Sequence, residues 1–487
     1  MTSKNSKTFP KLCGALIALL LIAPTAGAQI DLVSGSDGVT LGGDVKPLRA
    51  LRITLSGEMR LDFVYRNDRY FNAALGDAVT GAAGAPLGWT GSATGDDGDA
   101  FLNPWISIDI DTQLADGVNA LITLETPFDA FTDNVGGSDS GRTLDVDQAY
   151  VQWLGAFVPD LALIVGIQDY KVDFAGNGNP FFVDVGNSES AFGNPSSTAG
   201  LDFGSPQAPS AGLVGTQEAA GFLSELNIGD AELDLFYFTL DETFRDGEDE
   251  AMFGAVFDYV FETQDWRGQA GFLLIDLMND SSSSVWTWGG GGHLESTSGD
   301  LKVYGEAYGQ FGRYKNNLTG FGRVNQSRSF AVFGGIRYYL GGLGEMRPWV
   351  DLSYWEISGD DNGNDSRNGN FVSLEANNDT IVLENAYYGL DIDTNYRAFK
   401  LKGGLNLSSD WSVEGMYSFF ELQDNSNGTA ANSSNSDKLG DEIDIKVNYR
   451  ATDYLNFQFA SGWLFDAEAL GVGSDIMISV LSAEIRF

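Results

Sequence analysis

The sequence predicts an all-β chain: a transmembrane antiparallel β-barrel of about 18 strands, with short periplasmic turns and long extracellular loops. Three observations predict it. One stretch, "LRITLSGEMRLDFVYR" (Leu51 to Arg66), alternates strictly along its whole length. Similar stretches recur to the last residue, and the connections between them alternate between short and long.

In the first stretch, Leu51, Ile53, Leu55, Met59, Leu61, Phe63 and Tyr65 share one parity, with Gly57. The other parity carries Arg52, Glu58, Arg60, Asp62 and Arg66. Period-two alternation is the pattern of a strand with one apolar and one polar face. Its length exceeds the roughly 5–6 residues of a soluble strand. A cation turned to the bilayer midplane costs about 2–4 kcal/mol, so the uncharged parity faces lipid and the charged one the lumen.

The N-terminus agrees with export. Lys4, Lys7 and Lys11 precede the apolar run Leu12–Ala23, and Ala26-Gly27-Ala28 supplies a small-residue cleavage position. Residues 1–28 read as a signal peptide, 29–48 as a short periplasmic segment and 49–487 as the barrel. The only cysteine, Cys13, lies in the signal, so the remaining chain needs no disulfide or thiol chemistry. Removing the signal takes three lysines from 28 basic residues and leaves 25 against 68 acids. That balance excludes nucleic acid as a partner. Disorder is excluded too, because 43% of residues are hydrophobic and 12% aromatic. No later stretch is apolar enough for a spanning helix, which leaves a closed barrel as the way to cross a membrane.

The candidate strands are 49–66, 101–114, 118–128, 143–154, 161–170, 216–228, 231–240, 251–262, 266–277, 284–296, 301–313, 327–340, 346–357, 395–408, 411–423, 439–451, 453–465 and 474–487. Ala115-Asp116-Gly117, Gly229-Asp230, Thr263-Gln264-Asp265 and Ser409-Asp410 are short turns, whereas 67–100, 129–142, 171–215, 358–394 and 424–438 are long. Both termini then fall on the periplasmic side. A barrel this wide is not filled by wall side chains, so an aqueous channel is expected.

Parity assigns the lumen. The candidate pore-lining residues are Arg52, Glu58, Arg60, Asp62, Arg66, Asp258, Lys302, Glu306, Arg337, Asp351, Lys400, Lys402, Glu414, Asp444, Lys446 and Arg450. Their signs are mixed, with no single-sign ladder. Acid clusters sit in the outer loops: "TGDDGD" near 95–99, "DETFRDGEDE" (241–250) and "SGDDNGND" (358–365). Clustered carboxylates suit Ca²⁺, but no ligand set defines a metal site. No cofactor is expected. The loop 171–215, with Phe181, Phe182 and Phe192, either folds into the lumen or caps the mouth.

The last strand, "IMISVLSAEIRF", is amphipathic and ends on Phe487. It resembles the closing strand of bacterial outer-membrane barrels, which implies recognition by the outer-membrane assembly machinery. Further stretches resemble the alginate-export family of outer-membrane barrels: "VYGEAYGQFG" (303–312), "RPWVDLSYWEISGDDNGND" (347–365), "DIDTNYRAFKLKGGLNLSSDWSVEGMYSFFELQ" (391–423) and "LGDEIDIKVNYRATDYLNFQFASGW" (439–463). The resemblance implies a monomeric eighteen-stranded barrel that passes an acidic polysaccharide through a lumen rich in arginine and lysine. This chain departs from that pattern, because Glu306, Asp258 and Glu414 share the predicted lumen with its bases.

The reading that follows is a porin-like channel, integral to the bacterial outer membrane and in contact with its lipid. It passes small hydrophilic solutes or ions by passive diffusion and favours cations. The alternative is export of an acidic polysaccharide such as alginate. Catalysis is not expected: His293, the only histidine, has no nucleophile set beside it.

Overall fold

The computed structural model describes residues 32–33, 52–66, 99–126, 145–178, 181–185, 219–241, 250–279, 283–314, 324–341, 346–359, 367–371, 379–385, 388–389, 392, 394–424, 436–468 and 475–487. The signal segment, Phe192 and most of the acid-rich loop clusters lie outside these residues.

Eighteen strands form the wall: β1 (Arg52–Arg66), β2 (Asp99–Ala115), β3 (Val118–Glu125), β4 (Asp145–Leu154), β5 (Leu161–Gln168), β6 (Ala219–Ile228), β7 (Ala231–Asp241), β8 (Glu250–Glu262), β9 (Trp266–Asn279), β10 (Ser283–Ser296), β11 (Leu301–Tyr314), β12 (Val324–Tyr339), β13 (Trp349–Ile357), β14 (Tyr396–Asn406), β15 (Trp411–Leu422), β16 (Lys438–Arg450), β17 (Leu455–Phe465) and β18 (Ile476–Arg486). Each pairs antiparallel with the next, and β18 returns to β1 in a register running from Glu58 opposite Arg486 to Arg66 opposite Ile478. All eighteen candidate segments are strands, with ends displaced by a few residues. The closed ring leaves no unpaired strand edge, which a bilayer would not tolerate.

The seam is finished by the last residue. Phe487 and Gly57 exchange two backbone hydrogen bonds of 3.0 Å, and the Phe487 ring lies over Gly57. A Cβ on Gly57 would stand 2.5 Å from the Ser107 carbonyl oxygen and 2.8 Å from that ring, so glycine is what lets both approach here. The outer surface is apolar, as the lipid requires: Val165, Phe272, Trp288, Leu352 and Phe399 are all exposed.

The inner face departs from simple apolar-out, polar-in alternation. On β7, Phe236, Phe238 and Leu240 are buried on the lumen side, while Leu235 and Tyr237 are exposed outside. On β9, Leu273, Ile275 and Leu277 are buried inside, with Phe272 and Leu274 outside. These strands are apolar on both faces because something inside the barrel covers them.

Candidate functional site: the lumen and its two inserted segments

The first cover is the chain after β5. Tyr170–Val172 and Val183–Val185 pair as a small antiparallel ribbon inside the barrel. Tyr170 packs on Phe236 and Phe238 and donates its hydroxyl to Asp234 Oδ2 at 3.0 Å. Phe174 lies against Gly271, where a Cβ would stand 2.0 Å from its ring. Phe181 meets Phe333 and Trp355 at centroid distances of 4.6 and 5.1 Å, and Phe182 meets Phe371 at 5.3 Å. Polar anchors hold the backbone. Glu306 accepts the Ala175 N–H at 2.8 Å and the Tyr308 hydroxyl at 2.6 Å. Lys302 donates to the Gly176 carbonyl and, at 3.1 Å, to Asn177 Oδ1. His293 Nδ1 lies 3.0 Å from the Phe174 carbonyl and serves as another anchor. The part of the 171–215 loop that is described, 171–178 and 181–185, therefore lies within the lumen; the rest is outside the described residues.

The second insertion comes from 358–394, read from the sequence as an outer loop. Residues 379–385 enter the barrel, and the N–H groups of Ile381, Val382 and Leu383 converge on the Glu442 carboxylate, the outer two at 2.9 and 3.0 Å. Successive amides aimed at one carboxylate form an anion-binding nest. Glu384 is fully buried and takes Lys400 at 2.7 Å and the Tyr396 hydroxyl at 2.8 Å. Asp379 accepts from Lys400 at 3.1 Å and Lys402 at 3.4 Å. Burial works to raise the Asp379 carboxyl, but the ammonium groups of Lys400, Lys402 and Lys446 outweigh it and hold the group well below the ordinary carboxylate range. Tyr388 donates to Asp62 Oδ2 at 2.6 Å and accepts from Asn103 at 3.3 Å.

The remaining candidate residues sort by position. Arg60 pairs with Asp62 at 2.9 Å, and Glu58 with Arg486 at 3.2 Å near the seam. Arg337 pairs with Asp351 at 2.9 Å, which also accepts the Tyr304 hydroxyl at 2.7 Å. Arg66 is buried, and Asp258 is half-buried beside Gly271. Glu414 stands opposite Lys446 in register. Asp444 is buried beside Glu442 on β16, opposite Met416 in register. Arg450 lies at a turn, 3.7 Å from Asp410. Arg52 occupies β1 opposite Gln113; its side chain is outside the described set.

The register also reorganises the charge. The mixed signs expected from parity are divided into two arcs. Asp109, Asp111, Glu125, Glu225, Glu232, Asp234 and Asp258 face inward from one side, and β2 to β8 contain no lysine or arginine. Glu225 stands opposite Asp234, and Glu232 opposite Asp258. On the other side, Lys302, Arg337, Asp351 and Lys402 form one cross-strand row, flanked by Lys400 and Lys446. Beside the acidic arc, a cavity of about 490 Å³ opens at the short-turn end, lined in part by Thr54, Asp111, Tyr150 and Gln152. The segregation was visible in the order of charges along the chain. The insertions had a weaker signal: the apolar runs "PFFV" and "TIVL" inside supposed outer loops.

A family model described as alginate export matches residues 256–476. Among solved structures, Pseudomonas aeruginosa OccK9 (OpdG) superposes with a TM-score of 0.52 at 11% identity, covering 89% of this chain and 98% of that one. OccK5 (OpdH) of the same organism gives 0.49 at 13% identity over 89% and 98%. The outer membrane protein OprD from that organism gives 0.49 at 11% over 89% and 94%. No curated protein matches the chain. It is a closed eighteen-stranded barrel with the fold of OccK9, and its residues 256–476 match the alginate-export family.

Proposed function

We propose that the protein is an integral outer-membrane channel, exported by its signal peptide, that passes small hydrophilic solutes and ions passively and favours cations. The observation that carries this reading is an asymmetry between the two arcs. Lys302, Arg337, Lys400 and Lys402 are each held by a carboxylate or carbonyl of the wall or of an inserted segment. The carboxylates of Asp109, Asp111, Glu225 and Glu232 have no ion pair among the described residues. Fixed negative charge without a counter-charge draws mobile cations, over a screening length of about 10 Å at 0.1 M salt. The basic arc has less charge to offer an anion, because Arg337, Lys400 and Lys402 are already paired with Asp351, Glu384 and Asp379.

The test is the reversal potential of the purified protein in a planar bilayer under a salt gradient. Cation preference is the expected result, reduced in Glu225→Gln/Glu232→Gln. Anion preference overturns it. That outcome favours a second reading, export of an acidic polysaccharide, whose support is the family match spanning Lys302, Arg337, Lys400, Lys402 and Lys446. Such export needs the 379–385 segment to release Lys400 and Lys402.

A further inference from the structure

We infer that the cavity at the short-turn end of the lumen is a binding site for a neutral saccharide unit, an inference that rests on the channel reading above. Two adjacent rows of the sheet build it. Gln113, Asn119 and Gln152 stand side by side on β2, β3 and β4, placing three primary amides in one row. The next row holds Thr54, Asp111, Leu121 and Tyr150 on β1 to β4. All seven line one cavity of about 490 Å³, inside the range of about 300–1,000 Å³ typical of ligand sites.

The chemistry of this patch differs from the rest of the lumen. On the basic side of the lumen many inward polar groups bind one another or an inserted segment: Glu306 to Tyr308, Arg337 to Asp351, Lys400 to Glu384. Among the described residues, no side-chain hydrogen bond or ion pair involves Thr54, Asp111, Gln113, Asn119, Tyr150 or Gln152. Six polar side chains therefore converge with their hydrogen-bonding capacity unused.

The type of group selects the ligand. Each amide offers both donors and an acceptor, and the threonine and tyrosine hydroxyls do the same. Vicinal hydroxyls, which donate and accept at once, complement such a set. One carboxylate, Asp111, adds a strong acceptor. The Tyr150 ring and Leu121 supply apolar surface for the C–H face of a sugar ring, as an aromatic with a polar tip can. A cation would find a single carboxylate here, fewer than the facing pairs Glu225–Asp234 and Glu232–Asp258 offer elsewhere on the acidic arc. An anion would meet Asp111 with no lysine or arginine on β2, β3 or β4; the nearest basic position is Arg52 of β1, opposite Gln113 at the end of the amide row.

The test uses the full protein in planar bilayers, with D-glucose and maltose added at the short-turn side while single-channel current is recorded. Concentration-dependent blocking is expected, with the half-blocking concentration raised about tenfold in Tyr150→Leu and in Gln152→Leu. Heat-modifiable migration on gels identifies which variants fold. Unblocked current in the wild type, variants that block like the wild type, or stronger blocking by glucuronate than by glucose each overturn the site. The salt reversal potential in the same recordings reads the channel's ion preference separately. If the protein carries no current, the channel reading fails, and equilibrium dialysis of radiolabelled glucose against the folded protein in micelles still decides the site: saturable binding lost in Tyr150→Leu supports it, and no binding overturns it.

Discussion

The Lys400 ammonium stands 3.9 Å from the centroid of the Trp355 ring, and the edge of Phe181 meets that same ring at 5.1 Å. Phe181 belongs to the first inserted segment, and Lys400 anchors the second through Glu384 and Asp379. One indole thus lies between the supports of both. A cation over an indole adds about 0.5–2 kcal/mol, more when desolvated, and Lys400 is only 1% exposed.

Lys400→Met leaves Glu384 buried and charged without its main partner. Breaking a buried pair from one side costs about 3–5 kcal/mol. The folded-to-unfolded shift on heating in detergent, followed by gel mobility, is expected at lower temperature. Adding Glu384→Leu should recover much of the loss, since no lone buried charge then remains. Recovery no better than the single variant would show that Lys400 acts through packing alone.

Glu442→Leu removes the acceptor for three successive N–H groups. Hydrogen bonds to a charged group contribute about 1.5–3 kcal/mol each, so 379–385 should leave its seat. Single-channel conductance is expected to rise, and protease cleavage within 379–385 to appear in intact cells or proteoliposomes. Unchanged conductance with unchanged cleavage would mean that Lys400 and Tyr388 suffice to hold the segment.

Gly271→Leu and Gly462→Leu should each unseat a different segment. A Cβ at Gly271 would stand 2.0 Å from the Phe174 ring, and one at Gly462 would stand 2.8 Å from Ile381 Cβ. Each variant is expected to increase conductance, and the double variant to exceed both. If Gly271→Leu conducts like the wild type, the first segment accommodates the added side chain without moving.

The depressed Asp379 carboxyl gives a pH dependence of definite sign. A carboxylate whose folded value is lowered contributes stability above its unfolded value of about 4. That contribution fades as pH falls through the lower folded value. Asp379's share of any conductance rise should therefore be absent from neutral pH to about pH 4 and appear only in stronger acid. Asp379→Asn should bring part of that rise to neutral pH. A step near pH 6 in the wild type would point to a different titrating group.

The strands were legible because lipid imposes the same alternation on every span, from Leu51–Arg66 to the segment ending at Phe487. What filled the barrel was less so. Burial of Phe236 or Leu273 on the lumen side depends on a segment arriving from elsewhere in the chain, and parity alone reads such strands as apolar on both faces. Glu442 and Glu384 look in the sequence like ordinary polar positions. Only the fold shows that one collects three backbone amides and the other a lysine. The two charge arcs were within reach, since β2 to β8 lack any base, but parity examined strand by strand does not display their order around the ring.

The second insertion has a mechanical consequence for the ring. Its amides grip β16 at Glu442, while Tyr388 grips β1 at Asp62 and β2 at Asn103. Between those footholds lies the β18–β1 junction, where the first and last strands meet with no covalent link. The segment is therefore a strut across the joint of a hoop, seated only once the two ends of the wall have come together. Loosening the strut weakens the joint, so pulling or heating should part the barrel first between its oldest and youngest strands.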